Sequence, residues 1–451
     1  MYFCTKRVTL SLGLFLIVIL GLSCLSTSIF KQQDHALAQQ NIPTIKYRNL
    51  VIDLGNGVKT NAQLTLPAEG NGPFPAVLLV SGTGANNMNE TLDYIRIDNE
   101  TGSKIYPPAQ PFWQISQYLS ERGFAVLRYD KRGVGANFTI LDSNVWGNLT
   151  ANNLVQDAEK GLAVLAQQPE VNPNYITLLG HSEGTIIAPR VAIDNPTKVK
   201  NIVLMGAIAQ SESELLYFQV VQLPLFYAEK VLDYNHDGLI SIQQIAKSPI
   251  LSQSLVPSSI IITSFLSNNT KAINNALVDK FSNNTNEDGN ISIDKQLKPE
   301  LVKFFESFSV VTPGKKCMSL VSCPIWLNSY DALEPNANII GNVPPAISIL
   351  ILQGENDTLT PLQQAFVLQQ ILTDKRHPDH TLITYPDLGH LFYPSSEWQT
   401  SIGSIEPYVL ADLYSWLEAH SGLSHSFITP TTGNMTLWNT DTGYNSSSGK
   451  S

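Results

Sequence analysis

The run Tyr175-Ile176-Thr177-Leu178-Leu179-Gly180-His181-Ser182-Glu183-Gly184-Thr185-Ile186-Ile187-Ala188 decides the fold. Its first five residues are mostly apolar and β-prone, the length of a buried strand, and residues 185–193 read as a helix with small residues near its start. Between them stands Gly-x-Ser-x-Gly. That string alone is a weak signal, but a strand turning directly into a helix through a glycine-flanked serine is what a nucleophile elbow requires. The turn is strained and the two backbones pass close together, leaving no room for Cβ atoms at the glycines. Ser182 is therefore the candidate nucleophile. The plain alternative is a β-to-α turn whose serine caps the helix.

Outward from this point, strand-like runs at 62–66, 76–80, 125–129 and 201–205 alternate with helical patterns at 113–122 and 154–167. After a long interruption the alternation resumes with strands at 346–352 and 381–385 and helices at 361–372 and 405–419. Such alternation predicts an α/β fold with a mostly parallel central sheet flanked by helices. The interruption, 211–310, is helical and Asn-rich and reads as an inserted cap. The expected organisation is a signal peptide at 1–38, core segments at 39–210 and 311–422 around the cap, and a disordered tail at 423–451 rich in Ser, Thr, Asn and Gly.

A serine hydroxyl needs a base to take its proton, and the base needs a carboxylate to hold its tautomer. On sheets with such an elbow the chain order is Ser, acid, His. His390, in Pro386-Asp387-Leu388-Gly389-His390 just after the strand at 381–385, is the best-placed histidine. His377 and His380 fall in a charged turn, and His420 and His425 follow the last helix. Asp357 follows the apolar run 347–352 through Gly354-Glu355-Asn356, at the carboxyl end of a strand, where open α/β sheets place their sites. Glu355 and Asp331 are the competing acids.

The developing oxyanion needs donors aimed at it. The main-chain N–H of Glu183, directly after the nucleophile, supplies one, and the loop Ser81-Gly82-Thr83-Gly84 supplies the other through Thr83. These segments, together with Leu127-Arg128-Tyr129-Asp130-Lys131-Arg132-Gly133-Val134-Gly135, resemble the α/β-hydrolase superfamily. Within it they are similar to the esterases and hydrolases grouped with serine aminopeptidase-like and dienelactone hydrolase-like proteins. The likeness spans about residues 46–210 and 320–420. Ser81 departs from it, standing where many members carry His before the oxyanion glycine. The resemblance implies hydrolysis of an ester, thioester or amide through an acyl-enzyme, with no cofactor for catalysis.

The cap contains Asp233-Tyr234-Asn235-His236-Asp237-Gly238-Leu239-Ile240-Ser241, which fits the start of an EF-hand loop. Its oxygen ligands would be Asp233, Asn235, Asp237, the Leu239 carbonyl and Ser241, with Gly238 at the sharp turn. A second copy, Asn284-Thr285-Asn286-Glu287-Asp288-Gly289-Asn290-Ile291-Ser292, offers Asn284, Asn286, Asp288 and Asn290. Ile240 and Ile291 share one loop position, so the loops could pair through them as EF-hands do. Both lack the bidentate Glu at position 12, where Gln244 and Lys295 stand. The expectation is a structural calcium, or two Asn-rich turns without metal.

Lys6 and Arg7 precede the apolar run 8–25, and Ala36-Leu37-Ala38 offers a cleavage site. The N-terminus thus reads as an export signal, cut after Ala38 or retained as a membrane anchor. Sequons begin at Asn89, Asn99, Asn137, Asn148, Asn268, Asn283, Asn290, Asn434 and Asn445, as an exported glycoprotein would have. Cys4 and Cys24 lie in the signal, leaving Cys317 and Cys323 to close a short disulfide loop in an oxidising compartment. With 43% apolar and 15% charged residues the chain can build a large core, and a formal charge of −10 argues against nucleic acid. The leading expectation is an extracellular or cell-surface serine hydrolase acting on a small-molecule carboxylic ester. An amidase on the same triad, and a calcium-dependent binding protein on an inactive hydrolase scaffold, are the alternatives.

Overall fold

The computed structural model describes residues 45–92, 108–136, 139–256, 271–281, 289–312, 317, 319 and 323–423, and the backbone alone of Val8–Ser11, Tyr94–Asp98 and Gly102–Ile105. The signal expected over 1–38, apart from the Val8–Ser11 backbone, and the tail expected over 423–451, apart from Leu423, lie outside the described residues. So do Asn284, Asn286 and Asp288 of the second cap loop. Val8–Ser11 runs antiparallel to Tyr94–Asp98.

Eight strands make the central sheet: β1 Lys46–Gly55, β2 Val58–Leu66, β3 Phe74–Val80, β4 Ala125–Tyr129, β5 Val171–His181, β6 Asn201–Met205, β7 Ser348–Gly354 and β8 His380–Tyr385. Their spatial order is β1-β2-β4-β3-β5-β6-β7-β8. β2 is antiparallel to both its neighbours, and every pair from β4·β3 onward is parallel. β1 carries no continuous apolar run to mark it, because it lies at the sheet edge with alternate residues in water.

Side-chain alternation divides the sheet into two apolar layers. Leu78, Leu127, Leu178, Ile202 and Ile351 point to one face, where they meet Leu162 of α2 Ala151–Ala166, Ile187 of α3 Gly184–Asp194 and Leu368 of α4 Leu362–Asp374. Val77, Val126, Leu179, Val203 and Leu350 point to the other, against Phe112 and Leu119 of α1 Pro111–Ser120 and Leu413 of α5 Pro407–Ala419. Each such side chain, fully withdrawn from water, contributes about 1.5–3 kcal/mol. The result is a three-layer α/β fold whose strands are buried on both faces.

Residues 212–308 hold a third apolar cluster, including Val221, Ile240, Ile245, Leu277, Ile291 and Leu301. Leu239–Ser241 and Asn290–Ser292 form a short antiparallel ladder there, with Ile240 directly opposite Ile291. Cys317 and Cys323 are joined by a disulfide, S–S 2.10 Å, immediately before the helix Pro324–Tyr330. Among the described residues no helix is long and apolar enough to cross a membrane.

Candidate active site

Strand β5 ends at His181 and α3 begins at Gly184, so Ser182 occupies the turn with φ +53, a left-handed conformation that costs a serine energy. Its N–H is held by the Met205 carbonyl of β6 at 2.9 Å. The two flanking glycines are obligatory. A Cβ on Gly180 would stand 2.1 Å from the Gly184 oxygen, and one on Gly184 would stand 2.0 Å from the Val80 oxygen.

Ser182 and His390 line one cavity of about 60 Å³, together with Gly82, Thr83, Glu90 and Glu212. Ser182 Oγ makes no hydrogen bond among the described residues. His390 Nδ1 lies 2.9 Å from Asp357 Oδ2, and Asp357 is itself buried after β7. The same Oδ2 accepts from Thr360 Oγ1 at 2.7 Å and Gln353 Nε2 at 2.9 Å, and Oδ1 accepts the N–H groups of Leu359 and Thr360 at 2.9 and 2.8 Å. Burial alone would raise the pKa of this carboxyl, but the charge and hydrogen bond of His390 and the donors of Thr360 bring it below its ordinary value. Asp357 is thus held ionised. Gly206, with φ +64, leaves space for the imidazole, since a Cβ there would lie 3.1 Å from His390 Nδ1.

The competing side chains are engaged elsewhere. Glu355 Oε1 accepts from Thr384, Asp331 Oδ1 accepts from Ser213, and His377 Nδ1 accepts the Asp379 N–H.

The loop after β3 is fixed from three directions. Lys131 Nζ and Asn86 Nδ2 both donate to the Gly82 carbonyl, the latter at 2.7 Å, and the Gly82 N–H donates to Glu90 Oε1 at 2.6 Å. Among the described residues the Thr83 and Glu183 amides have no acceptor, which leaves them available as donors at the cavity. Glu183 is fully buried, and its carboxylate accepts from Lys131 Nζ at 2.5 Å, Trp326 Nε1 at 2.6 Å and Tyr330 Oη.

In the cap, Asp233 accepts the Asp237 N–H at 3.1 Å and the Gly238 N–H at 2.9 Å, and Asn235 Nδ2 donates to Asp237 Oδ2 at 2.8 Å. Ser241, expected as a ligand, is the N-cap of the helix Ile242–Lys247. Its hydroxyl accepts from Gln244 N at 3.2 Å and donates to Gln244 Oε1 at 2.9 Å, the reciprocal bonding of a capping box that turns both side chains to the helix start. Among the described residues no group of three or more His, Cys, Asp or Glu is placed to hold a metal ion.

Over residues 75–396 the chain matches the family described as the alpha/beta hydrolase fold. It belongs to the alpha/beta hydrolases. This hydrolase is 31% identical to esterase EstD of Thermotoga maritima over 162 residues, which is 36% of this chain and 33% of that protein. The match thus spans about a third of the esterase's length. Among solved structures, the alpha/beta hydrolase GrgF from Penicillium sp. sh18 is similar at 16% identity and a TM-score of 0.45, covering 84% of this chain and 100% of that one. Est1E from Butyrivibrio proteoclasticus is similar at 12% identity and a TM-score of 0.42, covering 82% and 98%.

Several residues around the cavity of this hydrolase carry no local mark in the sequence. Lys131 and His181 sit inside motifs valued for other residues, while Glu90, Glu212, Trp326 and Tyr330 reach the site only through the tertiary fold. Lys131, paired and buried beside Glu183, was the one that could be suspected, as a charge within an apolar-to-Gly loop.

Proposed function

We propose that this hydrolase cleaves small carboxylic esters through an acyl-enzyme on Ser182. What supports it most is the arrangement of Ser182, held at the elbow with left-handed φ, in one cavity with an imidazole whose far nitrogen is 2.9 Å from a buried Asp357. In this reading His390 Nε2 takes the Ser182 proton as Oγ attacks the acyl carbon, and Asp357 keeps the remaining proton on Nδ1. The N–H groups of Thr83 and Glu183 receive the oxyanion. The alcohol leaves with the proton from His390, and water then releases the acid by the same steps. The partial likeness to esterase EstD supports the ester as substrate class. The test is covalent labelling by a fluorophosphonate combined with turnover of aryl esters. Wild type labels and turns over, and Ser182→Ala does neither while remaining folded. Labelling retained in Ser182→Ala would remove the assignment.

We propose further that the protein works outside the cytoplasm with residues 1–38 removed. The Cys317–Cys323 bridge supports this, because such bonds persist in oxidising compartments. A secreted chain beginning at Gln39 is the expected product, read by N-terminal sequencing. Of the sequons, Asn148 is exposed and suits a glycan, whereas Asn89 accepts a hydrogen bond from the buried Arg128 and does not. The first cap loop is proposed to take calcium weakly, through Asp233, Asn235, Asp237 and the Leu239 carbonyl. Weakness follows from Gln244, whose Oε1 and Nε2 are bonded to Ser241 N and the Leu232 carbonyl, each at 2.8 Å, where strong sites have a bidentate Glu.

A further inference from the structure

Two buried carboxyl groups line the cavity beside Ser182, and neither belongs to the triad. Glu90 uses Oε1 for Gly82 N–H and His181, and Glu212 is hydrogen-bonded by the Thr83 side chain. In each case Oε2 is buried and has no partner. A buried acceptor left unpaired costs about 1–3 kcal/mol, more when charged, so two of them on one cavity wall point to donors that arrive with the ligand. The two cationic side chains described beside the cavity are already engaged: Lys131 by Glu183 and the Gly82 carbonyl, His181 by Glu90.

Resting on the ester reading above, we infer that the acyl part of the substrate carries a protonated primary amine, received by Glu212 with Glu90 beside it. Thr83 sets the distance. Its amide is the proposed oxyanion donor and its side chain acts on Glu212, so an ammonium on a carbon close to the carbonyl would fall between the two. Glu212 without ligand is pushed up to about 8, first by burial and then by the charge of Glu183, with Lys131 and Thr83 opposing. At neutral pH it is therefore protonated. An incoming ammonium supplies the missing positive charge, Glu212 ionises, and its proton leaves to solvent. A hydroxyl could bond to the neutral acid but would release nothing.

The groups that face Glu212 are Glu183 from the elbow, Lys131 from the turn after β4, and Tyr330 from the helix Pro324–Tyr330. Glu90, His181 and His390 share its cavity. Of these, Glu183 and Glu90 would also favour the ammonium, while the positive charges of Lys131 and His181 are offset by the carboxylates they pair with.

The test uses propylammonium and 1-propanol, equal in heavy atoms, titrated into wild type and Glu212→Gln by calorimetry in two buffers of different ionisation enthalpy. Propylammonium is expected to bind wild type at least about ten-fold more tightly than 1-propanol, as a charge-assisted bond implies. It should release close to one proton at pH 7 and gain affinity as pH rises toward about 8. In Glu212→Gln the advantage and the proton release should both vanish. Equal binding of the probes, a preference unchanged in the variant, or binding without proton release overturns the inference. If the variant does not fold, the proton count in wild type decides alone. A protein that binds propylammonium in this way yet resists fluorophosphonate loses the ester reading and keeps the ammonium site. One that takes the label but binds both probes alike loses the site alone.

Discussion

His181 Nδ1 stands 3.0 Å from Glu90 Oε1, while His181 Nε2 stands 3.1 Å from the main-chain oxygen of His390. A carbonyl oxygen only accepts, so Nε2 carries a proton, and Glu90 Oε1 can accept a second from Nδ1 when the ring is protonated. The imidazolium so defined ties the elbow to the loop bearing His390, and Glu90 extends the tie to Gly82. Burial by itself would lower the pKa of His181. The charge and hydrogen bond of Glu90, with the His390 carbonyl and Asp357, bring it above the ordinary histidine value.

A raised folded-state value stabilises the protein fully below the ordinary histidine pKa and loses that contribution as pH climbs through the raised value. The melting temperature of the wild type should therefore fall as pH rises above about 6.5, at up to about 1.4 kcal/mol per pH unit for one proton. Glu212 adds a slope of the same sign, so the comparison with a variant is what isolates the pair. Glu90→Gln should flatten the His181 part. A variant as steep as wild type would show that this pair is not its source.

Asp357→Asn should lower turnover by about 10⁴, because an amide no longer selects the tautomer in which His390 Nε2 accepts a proton. Glu355→Gln and His377→Gln should stay within a few-fold of wild type, since those side chains bond to Thr384 and to the Asp379 N–H instead. Ester kinetics on the three variants check this, and a dead Glu355 variant beside an active Asp357 variant would reverse the choice of acid.

Lys131→Met should cost about 3–5 kcal/mol in urea unfolding at pH 7, the penalty for leaving a buried carboxylate without its cation. Among the described residues, Glu183 then keeps Trp326 and Tyr330 but has no ion pair, and the Gly82 carbonyl keeps Asn86 alone. Turnover should drop along with stability, because the loop carrying Thr83 loosens. A stable variant with normal kinetics would show that the pair is dispensable.

Chelation should lower the melting temperature by a few degrees and change KM for bulky esters more than for small ones, since the proposed ion ties cap segments rather than the sheet. Asp233→Ala with Asp237→Ala should reproduce this shift and no longer respond to chelator. Unchanged melting and kinetics, with no calcium found by metal analysis, would leave the loops as turns.

The placement of Ser182 and His390 on one cavity, with Asp357 behind His390, was legible because each is marked locally, by glycines or by a preceding apolar strand. Ile240 opposite Ile291 was legible for a similar reason, as one loop pattern written twice. Glu90 and His181 are 91 positions apart, and Glu183 lies 143 from Trp326, so only the folded sheet brings them together. The N-cap role of Ser241 could also have been read, since Ser-x-x-Gln at 241–244 spells a capping box.

Cys323 is the N-cap of the helix whose Trp326 and Tyr330 hold the carboxylate next to Ser182. The bridge to Cys317 therefore secures the leading end of an element on which the elbow's neighbour depends. The covalent tie adds to the packing that already holds this end, where Cys323, Trp326 and Leu327 are buried in the main core.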